Sequence, residues 1–155
     1  MPVSTQEIYN YRRVNDKLIT GGQPTSDQLK AAATEGFATV INLATSNARE
    51  PALDEAELVR SLGMTYHHIP VEWENPTASD FAAFEQVMRG ATDENTLLHC
   101  AANFRVTAFY SLYALKHLGW SEADADKFRA SIWSGSDYPV WEAFIKQMKS
   151  RILEA

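Results

Sequence analysis

The sequence predicts a three-layer α/β fold, with a largely parallel central sheet flanked by helices. Short apolar runs of strand length, Thr39 to Leu43 and Leu97 to His99, alternate with amphipathic stretches of helical length. Those runs do not alternate apolar with polar, so they suit strands buried on both faces, which is how parallel sheets sit between helices. The chain has 155 residues, of which 45% are hydrophobic and 22% charged. That is the size and balance of one globular unit, so residues 1–155 read as a single domain.

Each element has a local cause. Asn15-Asp16 turns the chain between a strand ending near Val14 and a strand over Lys17–Thr20. Gly21-Gly22-Gln23-Pro24 is a loop. Thr25 with Gln28 forms a capping box for a helix that runs to Gly36, its C′ residue. A polar loop over 45–51 follows the Thr39–Leu43 strand. Asp54 to Leu62 is a helix stopped by Gly63, and Thr65 to Ile69 is a strand. After the loop Pro70–Pro76, Thr77 with Asp80 opens a helix ended by Gly90, with Phe81, Phe84, Val87 and Met88 on one face. Leu97-Leu98-His99 enters Cys100, and a helix from about Arg105 to Leu118 follows. Ser121 caps the next helix, and Pro139 suits the first turn of the last. Trp120, Trp133, Tyr138 and Trp141 are expected to pack a helical layer over the sheet.

Composition excludes several classes of function. With 20 acidic and 14 basic side chains the formal net charge is −6. A general nucleic-acid or anionic-membrane binder would present a basic face, so neither partner is expected. No apolar stretch approaches the ~20 residues that span a bilayer. Met1 to Asn10 is polar without an apolar core, which reads as cytoplasmic. Cys100 is the single cysteine, so an intramolecular disulfide and a multi-cysteine metal site are impossible. His67 and His68 are consecutive on a strand and point to opposite faces. No metal and no cofactor is expected.

The informative segment is His99-Cys100-Ala101-Ala102-Asn103-Phe104-Arg105-Val106-Thr107. It places a thiol where a buried strand ends and a helix begins, the edge of an α/β sheet at which ligands bind. A helix start offers free N–H groups and roughly +0.5 of charge. Both favour an anion, a thiolate included, and Arg105 adds a cation. Ala101 and Ala102 are small enough for the backbone to approach a ligand. Asn103 is a residue type that tolerates the left-handed conformation. These parts describe a cradle for a tetrahedral anion with a sulfur at its base.

His99-Cys100, the short loop, Arg105 and Thr107 resemble the phosphate-binding loop of cysteine-dependent tyrosine and dual-specificity phosphatases. The likeness extends to Leu18-Ile19-Thr20-Gly21-Gly22-Gln23-Pro24, to Leu29, Gly36-Phe37, Val40-Ile41-Asn42-Leu43 and to His68-Ile69-Pro70-Val71. It spans roughly Tyr11 to Leu118 and resembles in particular a bacterial branch, the phosphatase-like domain of beta-lactamase-hydrolase-like proteins. The resemblance implies a cysteine-phosphatase-like fold. It also implies hydrolysis of a phosphate monoester through a phosphocysteine on Cys100, with a phosphorylated small molecule or phosphoprotein as partner. Ala101, Ala102, Asn103, Phe104, Arg105 and Thr107 would bind the phosphate, and His99 would order the loop.

The sequence departs from that pattern in two places. The family has Cys, five residues, Arg, then Ser or Thr. Here Thr107 is in register, Val106 occupies the arginine position and Arg105 is one residue early, about 100° around a helix. Asn103 stands where glycine is usual. The loop that donates the leaving-group proton in such enzymes corresponds to Val71-Glu72-Trp73-Glu74-Asn75-Pro76, which has no aspartate. Glu72 and Glu74 are the carboxylates there, and Arg49 and Glu50 read as solvated charges near the mouth. A six-residue loop from Cys to Arg also resembles single-domain rhodaneses, in which Cys100 would carry a persulfide received from a sulfur donor. A catalytically degenerate phospho-ligand-binding module is the third reading.

Overall fold

The computed structural model describes residues 3–45, 50 and 53–154. Five strands, β1 (Arg12–Asn15), β2 (Leu18–Gly21), β3 (Thr39–Asn42), β4 (Thr65–His68) and β5 (Thr96–His99), form one sheet in the order β1-β2-β5-β3-β4. Strands β2, β5, β3 and β4 run parallel, and β1 is an antiparallel edge. The helices are α1 (Ser26–Thr34), α2 (Glu55–Ser61), α3 (Ala78–Gly90), α4 (Phe104–His117), α5 (Glu122–Ala130) and α6 (Pro139–Glu154). No helix among the described residues is long and apolar enough to cross a membrane.

The two faces of the sheet follow from the period-2 geometry of strands. Ile19, Val40 and Leu97 point to one face and pack with Leu29 and Ala32 of α1 and Val59 of α2. Their chain neighbours Leu18, Ile41 and Leu98 point to the other face, under Phe81 and Phe84 of α3, Phe109 of α4 and Trp141 of α6. Every residue of β2, β3 and β5 is buried. A one-residue slip would therefore exchange the two cores, and burial on both sides fixes the register.

Both capping boxes form, Thr25 with Gln28 and Thr77 with Asp80, and Gly36 and Gly63 take the expected positive φ of 96° and 83°. Gly90 lies within α3, and Ala91 closes that helix. Trp120 does not join the other aromatic residues of the C-terminal region; it packs edge-on to Tyr110 and Phe128. Arg49 lies outside the described residues.

Candidate active site

The parallel strands β2, β3 and β5 end together, with Gly21 and Asn42 both in register with His99. The chain then leaves β5 at Cys100 and enters α4 at Phe104. Three consecutive carbonyls of this loop are held from outside. His99 Nδ1 lies 3.2 Å from the Cys100 oxygen, the Gln23 N–H donates to the Ala101 oxygen at 3.0 Å, and Asn10 Nδ2 donates to the Ala102 oxygen at 2.9 Å. No peptide bond is cis. In a trans peptide the next N–H points opposite to the carbonyl, so clamping the Cys100 and Ala101 oxygens aims the N–H groups of Ala101 and Ala102 to the other side. Among the described residues the amides of Ala101, Ala102, Phe104 and Arg105 meet no acceptor, whereas the antiparallel bridge between Gly22 and Ala102 turns the Asn103 N–H toward the Gly21 oxygen.

Two residues make this geometry possible. Gly22 forms a bridge to Ala102, and a Cβ there would sit 2.6 Å from the Ala101 oxygen. The glycine is required by close approach of two backbones. Asn103 adopts φ 69°, ψ 8° at the start of α4 without capping it through its side chain. Its amide instead donates to the Asn10 oxygen (2.8 Å) and to Thr20 Oγ1 (3.1 Å). The first-turn N–H groups of α4 are thereby left for a ligand, with the positive end of the helix dipole behind them.

Cys100, Ala101, Ala102 and Arg105 line a cavity of about 260 Å³ together with Trp73, Phe104 and Tyr138. Cys100 is fully buried. Arg105 is 7% exposed and donates from Nη1 to the Val71 oxygen at 2.9 Å, so it turns toward the Val71–Pro76 loop and the cavity, not to bulk solvent. Val106 is in the hydrophobic core. The one-residue offset in sequence is accommodated in this way: the apolar residue of the pair faces the core and the cationic one faces the cavity. A larger cavity of about 490 Å³ adjoins α5 and α6, but the Lys149 that lines it is already paired with Glu122 and Asp126 and its lining includes no thiol. Chemistry, not size, selects the Cys100 cavity.

The other sequence-selected residues fall outside the cavity lining. Thr107 donates to the Asn103 oxygen at 2.8 Å and accepts from Trp133 Nε1 at 3.0 Å, so its one proton closes the first turn of α4. Glu72 and Glu74 are exposed on the loop that carries Trp73. That loop is held by Trp141 Nε1 donating to the Trp73 oxygen at 2.7 Å and by rings of Phe104, Trp133, Tyr138 and Trp141 within 6.0 Å of Trp73. Phe104 stacks on Trp133 with centroids 4.9 Å apart. Of the expected aromatic layer, Tyr138 lines the cavity, and Trp133 and Trp141 pack against the Trp73 that lines it.

His99 is fully buried, and its Nε2 lies 2.7 Å from Glu55 Oε2. Glu55, 3% exposed, also accepts from Gln23 Nε2 at 2.6 Å. Burial alone would raise the Glu55 carboxyl. The attraction of His99, hydrogen bonds from His99 and Gln23 and the influence of the Tyr66 phenol outweigh it and hold the group below the usual carboxylate range. Burial and the Glu55 charge push the Tyr66 phenol up, which keeps it a donor. Sequence reasoning missed Glu55 because it is read locally as one acidic residue in the first turn of α2.

The chain resembles known proteins along most of its length. It is 31% identical to the "Putative phosphatase (DUF442)" of Shewanella putrefaciens CN-32, whose crystal structure superposes with a TM-score of 0.83 over 95% of each chain. It is 29% identical over 102 residues to a beta-lactamase hydrolase-like protein of Xylella fastidiosa, a match covering 64% of this chain and 23% of that relative. TpbA of P. aeruginosa, crystallised with pTyr, shares the fold with a TM-score of 0.71 at 13% identity, over 94% of this chain and 91% of TpbA. These comparisons support a phosphatase and neither a sulfurtransferase nor a non-catalytic module. Residues 3–128 match the family described as DSP-PTPase phosphatase fused to NAD+ kinase, and the chain belongs to that family of cysteine-dependent phosphatases, which are hydrolases.

Proposed function

We propose that the chain hydrolyses a phosphate monoester through a phosphocysteine on Cys100. The observation that carries this reading is the joining of a thiol, the free N–H groups of Ala101, Ala102, Phe104 and Arg105 and the Arg105 side chain around one cavity. The Cys100 thiolate attacks phosphorus, the bond from phosphorus to the ester oxygen breaks, and the departing oxygen takes a proton. Water then attacks phosphorus, the S–P bond breaks, and the thiolate and inorganic phosphate are released. The loop amides receive the equatorial oxygens as charge shifts among them. Arg105 can present two N–H groups to two oxygens. Glu74 or Glu72, at either side of Trp73, is assigned the proton transfers. The partner is a phosphorylated molecule, consistent with the pTyr bound by TpbA.

The test is turnover of an aryl phosphate by the wild type and by Cys100→Ser. The expected result is hydrolysis by the wild type and none by the variant, which still binds inorganic phosphate. Transfer of sulfur from thiosulfate to cyanide without phosphate release would overturn the reading.

A further inference from the structure

We propose that Glu55 is a positioning residue for the Cys100 loop: it holds the His99 ring in the orientation that sets Nδ1 against the Cys100 carbonyl oxygen. The kinetic consequence rests on the phosphatase reading; the geometry does not. An imidazole has two nitrogens on opposite edges, so fixing one fixes the other. Glu55 Oε2 meets Nε2 at 2.7 Å, and Nδ1 then lies 3.2 Å from the Cys100 oxygen. On the N–H side, Cys100 is held only by a long bond of 3.3 Å to the Gly21 oxygen. The first peptide of the loop is therefore oriented mainly through His99, and with it the Ala101 N–H on the opposite edge of that peptide.

The wiring of Glu55 argues for orientation over stability. Its hydrogen-bond partners come from separate segments, Gln23 after β2 and His99 on β5, and the Tyr66 phenol of β4 adds its electrostatic influence. Such a carboxylate is placed with little freedom. A buried ion pair is seldom more stable than an apolar replacement of the same shape, because desolvation consumes the attraction. Two apolar side chains would serve the core equally well here, yet they could not turn a peptide plane. The Gly-Gly-Gln-Pro segment thus contributes twice, with the Gln23 N–H on the Ala101 oxygen and the Gln23 side chain on Glu55.

The experiment compares wild type, Glu55→Gln, Glu55→Asp and Tyr66→Phe, with folding checked by circular dichroism. Two readouts are taken far below each melting temperature: the rate of Cys100 alkylation by iodoacetamide, and kcat/KM on an aryl phosphate. In Glu55→Gln both are expected to fall, kcat/KM toward the ~100-fold loss that a misplacement of about 1 Å produces. Glu55→Asp, which keeps the charge, is expected to recover part of it, and Tyr66→Phe to show a smaller loss in the same direction. A Glu55→Gln protein that melts earlier but keeps both rates would overturn the proposal. If Glu55→Gln does not fold, unchanged rates in Glu55→Asp and Tyr66→Phe would overturn it. Slower alkylation in a chain that hydrolyses no phosphate monoester would instead count against the phosphatase reading and leave the role of Glu55 standing.

Discussion

The Cys100 loop and the Val71–Pro76 loop border the same cavity, yet different forces hold them. The first is clamped by directional bonds: three successive carbonyls are taken up by His99, Gln23 and Asn10, and the Asn103 side chain bonds to Asn10 and Thr20. The second is bonded at its start, where the Val71 N–H donates to the Leu43 oxygen and the Val71 oxygen accepts from Arg105, and beyond that it is held by Trp73 amid four aromatic rings and a bond from Trp141, while its carboxylates Glu72 and Glu74 stand exposed. Hydrogen bonds fix orientation, and ring packing fixes position with more rotational latitude. The difference suits the division of labour proposed for the two loops. Donors to a phosphoryl group must be aimed before reaction, whereas a proton donor must reach leaving groups of different shape.

The largest expected effect tests the open loop. Glu72→Gln or Glu74→Gln, whichever removes the acid, should cost on the order of 10²–10⁴ in kcat on phenyl or alkyl phosphates and little on nitrophenyl phosphate, whose leaving group needs little protonation. Equal losses on both substrates would remove the carboxylates from the mechanism. Next comes the clamped loop. Arg105→Ala should lower kcat by roughly 10²–10³, as loss of one transition-state donor does, and Arg105→Lys should be nearly as poor because an ammonium cannot span two oxygens. Lysine activity close to wild type would show that charge alone suffices.

A smaller effect is expected at Gly22. A methyl group there meets the Ala101 backbone oxygen at 2.6 Å, and backbone cannot swing aside as a flexible side chain can. Gly22→Ala should destabilise the fold by about 1–3 kcal/mol in urea titration and slow turnover more than the stability loss explains. An unaffected enzyme would mean that the outer clamp is dispensable.

The smallest effect concerns acid stability. The Glu55 carboxyl is lower in the folded state than in the unfolded chain, so its contribution is complete above the unfolded value of about 4.3 and is lost as pH falls through the folded one. Urea midpoints measured below pH 5 should therefore fall less steeply in Glu55→Gln than in wild type. Identical slopes would show that Glu55 is not held as an anion.

Most of the scaffold was legible because its causes are local. A capping box acts over three residues, a glycine terminator over one, and the two-faced burial of β3 and β5 is written in consecutive apolar side chains. The place of Cys100 at a strand end and the left-handed Asn103 were readable for the same reason. The pairs that finish the site are distant in sequence. Glu55 and His99 are 44 residues apart, Arg105 and Val71 are 34 apart, and Thr107 and Trp133 are 26 apart. Each depends on the strand order β1-β2-β5-β3-β4, which brings the ends of β2 and β3 to either side of β5. Sequence determined which residues can cap, turn, bury or carry charge, because those properties belong to a side chain and its near neighbours. Tertiary structure alone decided that Arg105 faces the cavity while Val106 faces the core, that Thr107 closes a helix, and that Glu55 stands behind His99. Those outcomes depend on which segments meet, and no single segment encodes its partner.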